Sequence, residues 1–152
     1  MTTEKTSGAS ASALLPPVAK KLVKDWMSHN PITVLPATRI REAWQLMEER
    51  HIRRLPVMEN GNLVGIVTLG DLRSAGADTD GDEAAKMRVD SVFHANPITV
   101  TTDTTLLGAA RLMLRHKVSG LPVLSSADQS LTGIITESDI FRAFITDQGS
   151  VS

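Results

Sequence analysis

Apolar residues along the chain fall into two alternating rhythms. Ile40, Ala43, Trp44 and Met47 recur at three- and four-residue spacing, as do Leu106, Ala109, Ala110, Met113 and Leu114. Each set makes one apolar face and predicts a helix. Thr38 and Thr104 stand just upstream as expected N-caps. The rhythm then shortens. LPVM (55–58) and LPVL (121–124) read as strands, and LVGIVT (63–68) and LTGIIT (131–136) read as strands apolar enough to be buried. ENGN, with its Asn-Gly signal, and SSADQS are the turns between them. GDLR and ESDIFRAFI each open a last helix. Upstream, VAKKLVKDWMS predicts an amphipathic helix, and a shorter version lies near Arg88–His94. Asn-Pro ends both, because proline disfavours α geometry in the preceding residue. ITV follows as a short extended piece.

This grammar occurs twice. NPITV stands at 30–34 and again at 96–100. Between Val23–Val57 and Val89–Val123, 13 of 35 aligned positions are identical, where chance gives roughly two. Beyond a longer second turn, Leu63/Leu131, Gly65/Gly133, Ile66/Ile134, Thr68/Thr136 and Asp71/Asp139 also agree. Each unit therefore has the order β-α-β-β-α. About 50 ordered residues are marginal alone, so two copies with matching apolar sheets are expected to pack on each other. The expected organisation is a leader over 1–16, rich in Ser, Thr, Ala and Gly and read as disordered; a first unit over 17–75; an acidic linker over 76–87; a second unit over 88–146; and a flexible tail over 147–152.

Composition narrows the function classes. The 152 residues are 41% hydrophobic but 3% aromatic, so the core must be aliphatic. There is no cysteine, which excludes disulfides, thiolate metal sites and Cys nucleophiles and fits a reducing cytoplasm. A net charge of −1 leaves no basic excess for nucleic acid. No apolar run approaches the roughly 18–20 residues that span a bilayer.

The series NPITV, helix, (S/R)(G/R)LPV, turn, GI(V/I)TxxD resembles the CBS domain, named for cystathionine β-synthase. Its duplication over about 18–146 resembles a CBS pair, or Bateman module, of the stand-alone bacterial and archaeal type. The resemblance implies a mixed α+β fold of two β-α-β-β-α units, packed sheet to sheet about a pseudo-twofold axis. It also implies two clefts between the units for adenosine-containing ligands, and a homodimer.

Candidate site residues follow from that resemblance. Thr68-Leu69-Gly70-Asp71 and Thr136-Glu137-Ser138-Asp139 each join a strand end to a helix start. Thr as a cap with an acid in the first turn is a sufficient structural account. The family implies more: Asp71 and Asp139 accept hydrogen bonds from ribose hydroxyls, while Thr68 and Thr136 face ribose or phosphate. Arg53 and Arg54 precede LPV in the first unit, where family members carry basic residues that contact phosphate, a task suited to forked guanidinium donors. The second unit has Ser119 and Gly120 there. One cleft is thus expected to hold both arginines together with Thr136 and Asp139, and the other to be neutral. Arg50 and Arg73 read as solvated. The adenine pocket is expected among Ile32, Thr33, Val34, Pro56, Ile98, Thr99, Val100, Gly120, Leu121 and Pro122.

The expected function is a regulatory module for AMP, ADP or ATP, acting on module or dimer geometry and on an unidentified protein target. S-adenosylmethionine, NAD, a cyclic dinucleotide, or a purely structural dimerisation role with empty clefts are the alternatives. No catalytic residue is expected: there is no Ser-His-Asp order and no Gly-rich phosphate loop, and Asp71 and Asp139 lack a partner acid or base. His29, His51, His94 and His116 have no metal-ligand spacing. Asp78-Thr-Asp80-Gly-Asp82 departs from a calcium loop and reads as solvated linker. Neither metal nor cofactor is required, and Trp26 and Trp44 read as core or dimer contacts.

Overall fold

The computed structural model describes residues 15–148, so the expected leader, apart from Leu15 and Pro16, and the last four tail residues lie outside the described residues. Among the described residues seven strands are formed: β1 (Ser28–His29), β2 (Arg54–Glu59), β3 (Asn62–Thr68), β4 (His94–Ala95), β5 (Val100–Thr101), β6 (Gly120–Leu124) and β7 (Leu131–Thr136). The α-helices are α1 (Ile40–Arg50), α2 (Leu69–Ser74), α3 (Asp82–Lys86), α4 (Leu106–His116) and α5 (Glu137–Asp147). The fold is the expected mixed α+β arrangement. One sheet runs β1-β7-β6-β5, the other β2-β3-β4. A parallel bridge from Val34 to Val57 extends the second sheet as β5 extends the first. The turn at Asn60-Gly61 has both residues at positive φ, 52° and 81°, as an Asn-Gly hairpin requires.

Each unit's opening segment packs on the other unit. Ser28 and His29 pair with Ile134 and Gly133 of β7, and His94 and Ala95 pair with Ile66 and Gly65 of β3. The exchange is reciprocal bond by bond. Val23 N donates to Thr104 O at 2.8 Å and Val89 N to Thr38 O at 2.7 Å. Leu106 N, an orphan donor at the start of α4, reaches Lys21 O at 2.8 Å. Ile40 N, its counterpart on α1, reaches Met87 O at 3.0 Å. Val18, Val23 and Met27 accordingly join the core of the second unit, with Val100, Leu106, Met113, Leu121 and Ile135. Val89 joins the core of the first, with Ile40, Met47, Leu55, Val67 and Leu72. Both cores are aliphatic, as the composition requires.

Several local expectations are corrected. The opening segment is two 3₁₀ turns, Pro17–Lys20 and Val23–Asp25, and its second copy is one, Val89–Ser91. Lys21 and Leu22 are extended between the turns, because their backbone is needed for pairing on the other unit. Asn30 and Asn96 do not end these turns. They follow β1 and β4 in the left-handed region, at φ 51° and 53°, which asparagine tolerates. Thr38 and Thr104 are not N-caps. Their hydroxyls accept from Leu35 N and Thr101 N, closing the turn before the helix. Arg39 takes the cap position of α1 without a side-chain bond, and Thr105 caps α4 by accepting from Gly108 N. The acidic linker is partly structured. Ala77 and Ala84 are buried, and Arg41 donates to Thr79 O and Gly81 O, holding the segment against α1.

Gly65 and Gly133 make the exchange sterically feasible. A Cβ on Gly133 would lie 2.5 Å from Ser28 O and 2.6 Å from Met27 Sδ, and one on Gly65 would meet the Phe93 ring and lie 2.8 Å from His94 O. A Cβ on Gly70 would meet only Thr68 Oγ1, at 3.8 Å. Gly133→Ala should therefore lower stability by about 1–3 kcal/mol through overpacking. Gly70→Ala, at a helical position, should be neutral or stabilising by up to about 1 kcal/mol. Urea unfolding midpoints of the two variants test this contrast. Thr105→Ala should cost about 1 kcal/mol, and Thr38→Ala should leave α1 capped as before, which amide exchange of the two helices can compare.

Candidate functional site

Two clefts open between the units. The first, about 1080 Å³, joins the β3–α2 junction at Thr68, Leu69 and Gly70 to Asn96-Pro97-Ile98 and to Val118–Pro122 of the second unit. The second, about 610 Å³, joins the β7–α5 junction at Thr136, Glu137 and Ser138 to Asn30-Pro31-Ile32 and to Ile52-Arg53-Arg54 of the first unit. Each therefore combines a strand-to-helix junction from one repeat with the Asn-Pro word and strand entrance of the other. The junctions are tied to those entrances. Leu69 N donates to Arg53 O at 2.8 Å, and Glu137 N to Ser119 O at 3.0 Å.

Both T-x-x-D motifs form capping boxes. Asp71 N donates to Thr68 Oγ1 while Thr68 N donates to Asp71 Oδ2 at 2.9 Å. Asp139 N donates to Thr136 Oγ1, and Thr136 N donates to Asp139 Oδ2 at 2.8 Å. The capping account of these residues is thus physically present. The second oxygens differ. Asp71 Oδ1 faces His94 Nε2 at 3.1 Å, so Asp71 does have a titratable partner that the sequence did not reveal. Asp139 is 4% exposed, and Arg142 donates to its Oδ1 at 2.8 Å. Neither Asp lines a cleft wall; each lies one layer behind its Thr.

Of the expected adenine pocket, Ile98, Gly120, Leu121 and Pro122 line the first cleft and Ile32 the second. Thr33, Val34, Pro56, Thr99 and Val100 line neither. Val34 and Val100 bridge in parallel to Val57 and Val123, which turns their side chains into the two cores, and Pro56 is buried in β2.

The charge distribution departs most from expectation. Arg53, Arg54 and Ser119 line both clefts, so no neutral cleft exists opposite an arginine cleft. Arg54 crosses between the repeats: its Nη2 donates to Ser119 Oγ at 2.6 Å, and a Cβ on Gly120 would lie 2.7 Å from Arg54 Cζ. Burial of its guanidinium, and next the charge of Arg53, push the Arg54 pKa below its ordinary value, with Glu137 and Asp139 opposing. Arg remains charged at neutral pH all the same. Arg73, read as solvated, lines the first cleft and pairs with Glu48 at 3.8 Å. Lys117 and His94 line it as well, as do Ser28 and His29 the second. His94 and Ser28 occupy matching repeat positions just before Asn-Pro. That position was the available signal, but it acquires meaning only once the opening segments exchange partners.

Trp26 packs on the second core, with Lys21 Nζ 5.0 Å from its ring centroid and Arg142 Cζ 6.0 Å away. Trp44 packs on the first core. Among the described residues, no helix is long and apolar enough to cross a membrane.

The sequence model of the CBS domain matches residues 23–78 and 89–146. A CBS domain-containing protein of Dictyostelium discoideum is 36% identical over 135 residues, covering 83% of this chain and 92% of that protein. Several other curated relatives are longer proteins, of which the chain spans between 23% and 25%. The CBS domain pair of protein MJ0100, solved with 5'-methylthioadenosine and S-adenosyl-L-methionine, superimposes with a TM-score of 0.72 at 33% identity, covering 82% of this chain and 95% of that one. CBSX2 of Arabidopsis thaliana, solved with AMP, gives 0.72 at 30% identity, covering 84% and 98%. With both repeats matched and both clefts formed between them, the chain belongs to the CBS domain family as a tandem pair of its units.

Proposed function

We propose that the chain is a regulatory module that binds adenosine-containing nucleotides, AMP, ADP or ATP, in the two clefts and changes the geometry of the pair or of its dimer in response. The observation that carries this reading is that Arg53 and Arg54 line both clefts, beside the strand-to-helix junction at Thr68 in one and at Thr136 in the other. Related pairs hold AMP, or S-adenosyl-L-methionine with 5'-methylthioadenosine. In this reading the ribose hydroxyls take the place of His94 at Asp71 Oδ1. The Thr68 and Thr136 hydroxyls and the helix-start N–H groups face ribose or phosphate, and the arginines hold phosphate. The adenine lies on Ile98, Leu121 and Pro122 in the first cleft and on Ile32 in the second. Ligand-driven regulation then follows from differential affinity for two arrangements. S-adenosylmethionine, NAD and cyclic dinucleotides are the competing ligands; the arginines favour a phosphorylated ligand over S-adenosylmethionine.

A homodimer is the second part of the proposal. Phe141, Phe144 and Ile145 are 62%, 54% and 63% exposed along one side of α5, and Leu114 on neighbouring α4 is 80% exposed. Spacings of three and four place the α5 residues on one face, which is the kind of surface that seeks a partner. The first repeat has no counterpart, because α2 ends at Ser74.

Saturating AMP, at about 100 times its dissociation constant, should stabilise the protein by about 2.7 kcal/mol. Asp71→Asn keeps an oxygen for the cap but replaces an acceptor by a donor. It should leave the unliganded melting temperature nearly unchanged and reduce the AMP-induced shift. A thermal-shift panel of adenosine, AMP, ADP, ATP and S-adenosylmethionine on wild type and variant checks this. No shift with any of them would favour the structural role. Phe144→Glu should yield monomers without loss of AMP binding at the same fold stability, read by sedimentation; a variant that stays dimeric rules out the α5 face.

A further inference from the structure

The geometry points to one pair of guanidinium groups serving both clefts, so that phosphate-bearing ligands fill the clefts antagonistically while uncharged nucleosides fill them independently. This rests on the proposed nucleotide binding and adds how the two sites influence each other. The wall between the clefts is common to both: His51, Ile52, Arg53, Arg54 and Ser119 line each of them. The matching positions of the second repeat are Ser119 and Gly120, which carry no charge. The asymmetry is sterically built in. Arg54 lies across Gly120, where a Cβ would come within 2.7 Å of its Nε and Cζ, so the axis has room for one long side chain and not two. The Arg54 guanidinium rests on Ser119 Oγ at 2.6 Å, at the boundary from which either cleft can draw it.

The remaining charges make the competition unequal. The first cleft has further cations of its own, Lys117 and Arg73, the latter shared with Glu48. The second has no Lys or Arg on its wall beyond the shared pair, and it carries Glu137. A phosphate in the first cleft engages the pair and leaves the second cleft with an acidic wall. A second phosphate then meets both the first phosphate and Glu137 with the same two cations already engaged. A nucleoside without phosphate makes no such demand.

Isothermal titration of the full chain with AMP and with adenosine tests this. For wild type, the second AMP should bind roughly tenfold or more weakly than the first after statistical correction, within the usual span of site–site coupling; the two adenosine constants should agree within about threefold. Arg53 is exposed, so Arg53→Ala should fold normally, and it should weaken AMP in both clefts while sparing adenosine. Arg54→Ala should do the same and serves as the second variant. Two equal AMP sites, or an Arg53→Ala effect confined to one AMP site, or the same inequality for adenosine as for AMP, would each overturn the shared pair. Absence of binding by both probes would instead overturn the nucleotide-binding function on which it rests.

Discussion

The whole structure depends on a reciprocal exchange of backbone. Each repeat lends its opening segment to the other, and the hydrogen bonds that result come in matched pairs: β1 on β7 and β4 on β3, Lys21 O at the start of α4 and Met87 O at the start of α1. A buried backbone donor without a partner is costly, so neither helix start is satisfied unless the other repeat is in place. The two units are therefore not independent domains joined by a tether. They are two halves of one folding unit, each supplying core residues to the other, which relieves the marginal stability of a repeat about 50 residues long. Gly65 and Gly133 follow directly from this constraint, since the crossing backbone passes where a Cβ would stand.

The exchange also builds the clefts. It carries His94 and Asn96 to one strand-to-helix junction, and Ser28 and Asn30 to the other. Each cleft is consequently a product of both repeats, and a change in the angle between units alters both clefts together. The capping boxes anchor the junctions on the protein side. Thr68 and Thr136 face the clefts while Asp71 and Asp139 hold the helix starts from behind, so helix capping and the cleft wall meet in the same few atoms.

Upon this symmetric frame the side chains are arranged asymmetrically. Arg54 opposes Gly120 at the axis, His94 stands where the other cleft has Ser28, and Asp139 is engaged by Arg142 while Asp71 faces His94. The last helix runs to Asp147 in the second repeat and carries exposed Phe141, Phe144 and Ile145, whereas α2 stops after six residues. Duplication supplied the architecture twice. The differences between the copies are what distinguish the two clefts and what set the exposed apolar face of α5 on one repeat.

The amino-acid sequence by itself determined the duplication, the β-α-β-β-α order, the aliphatic cores, the Asn-Gly hairpin and the identity of the strand-to-helix junctions. These are local or periodic properties, written in spacings of two, three and four residues and in the turn residues between them. It could not show which repeat each opening segment joins, because pairing across a chain leaves no mark on the local pattern. That choice converted an expected helix into two 3₁₀ turns. It also brought His94 to Asp71 and placed Arg53 and Arg54 on the wall of both clefts rather than one. Arg54 shows the limit most plainly. Its charge is evident in the sequence, but its position over Gly120 arises only where the pseudo-twofold axis brings two homologous positions face to face.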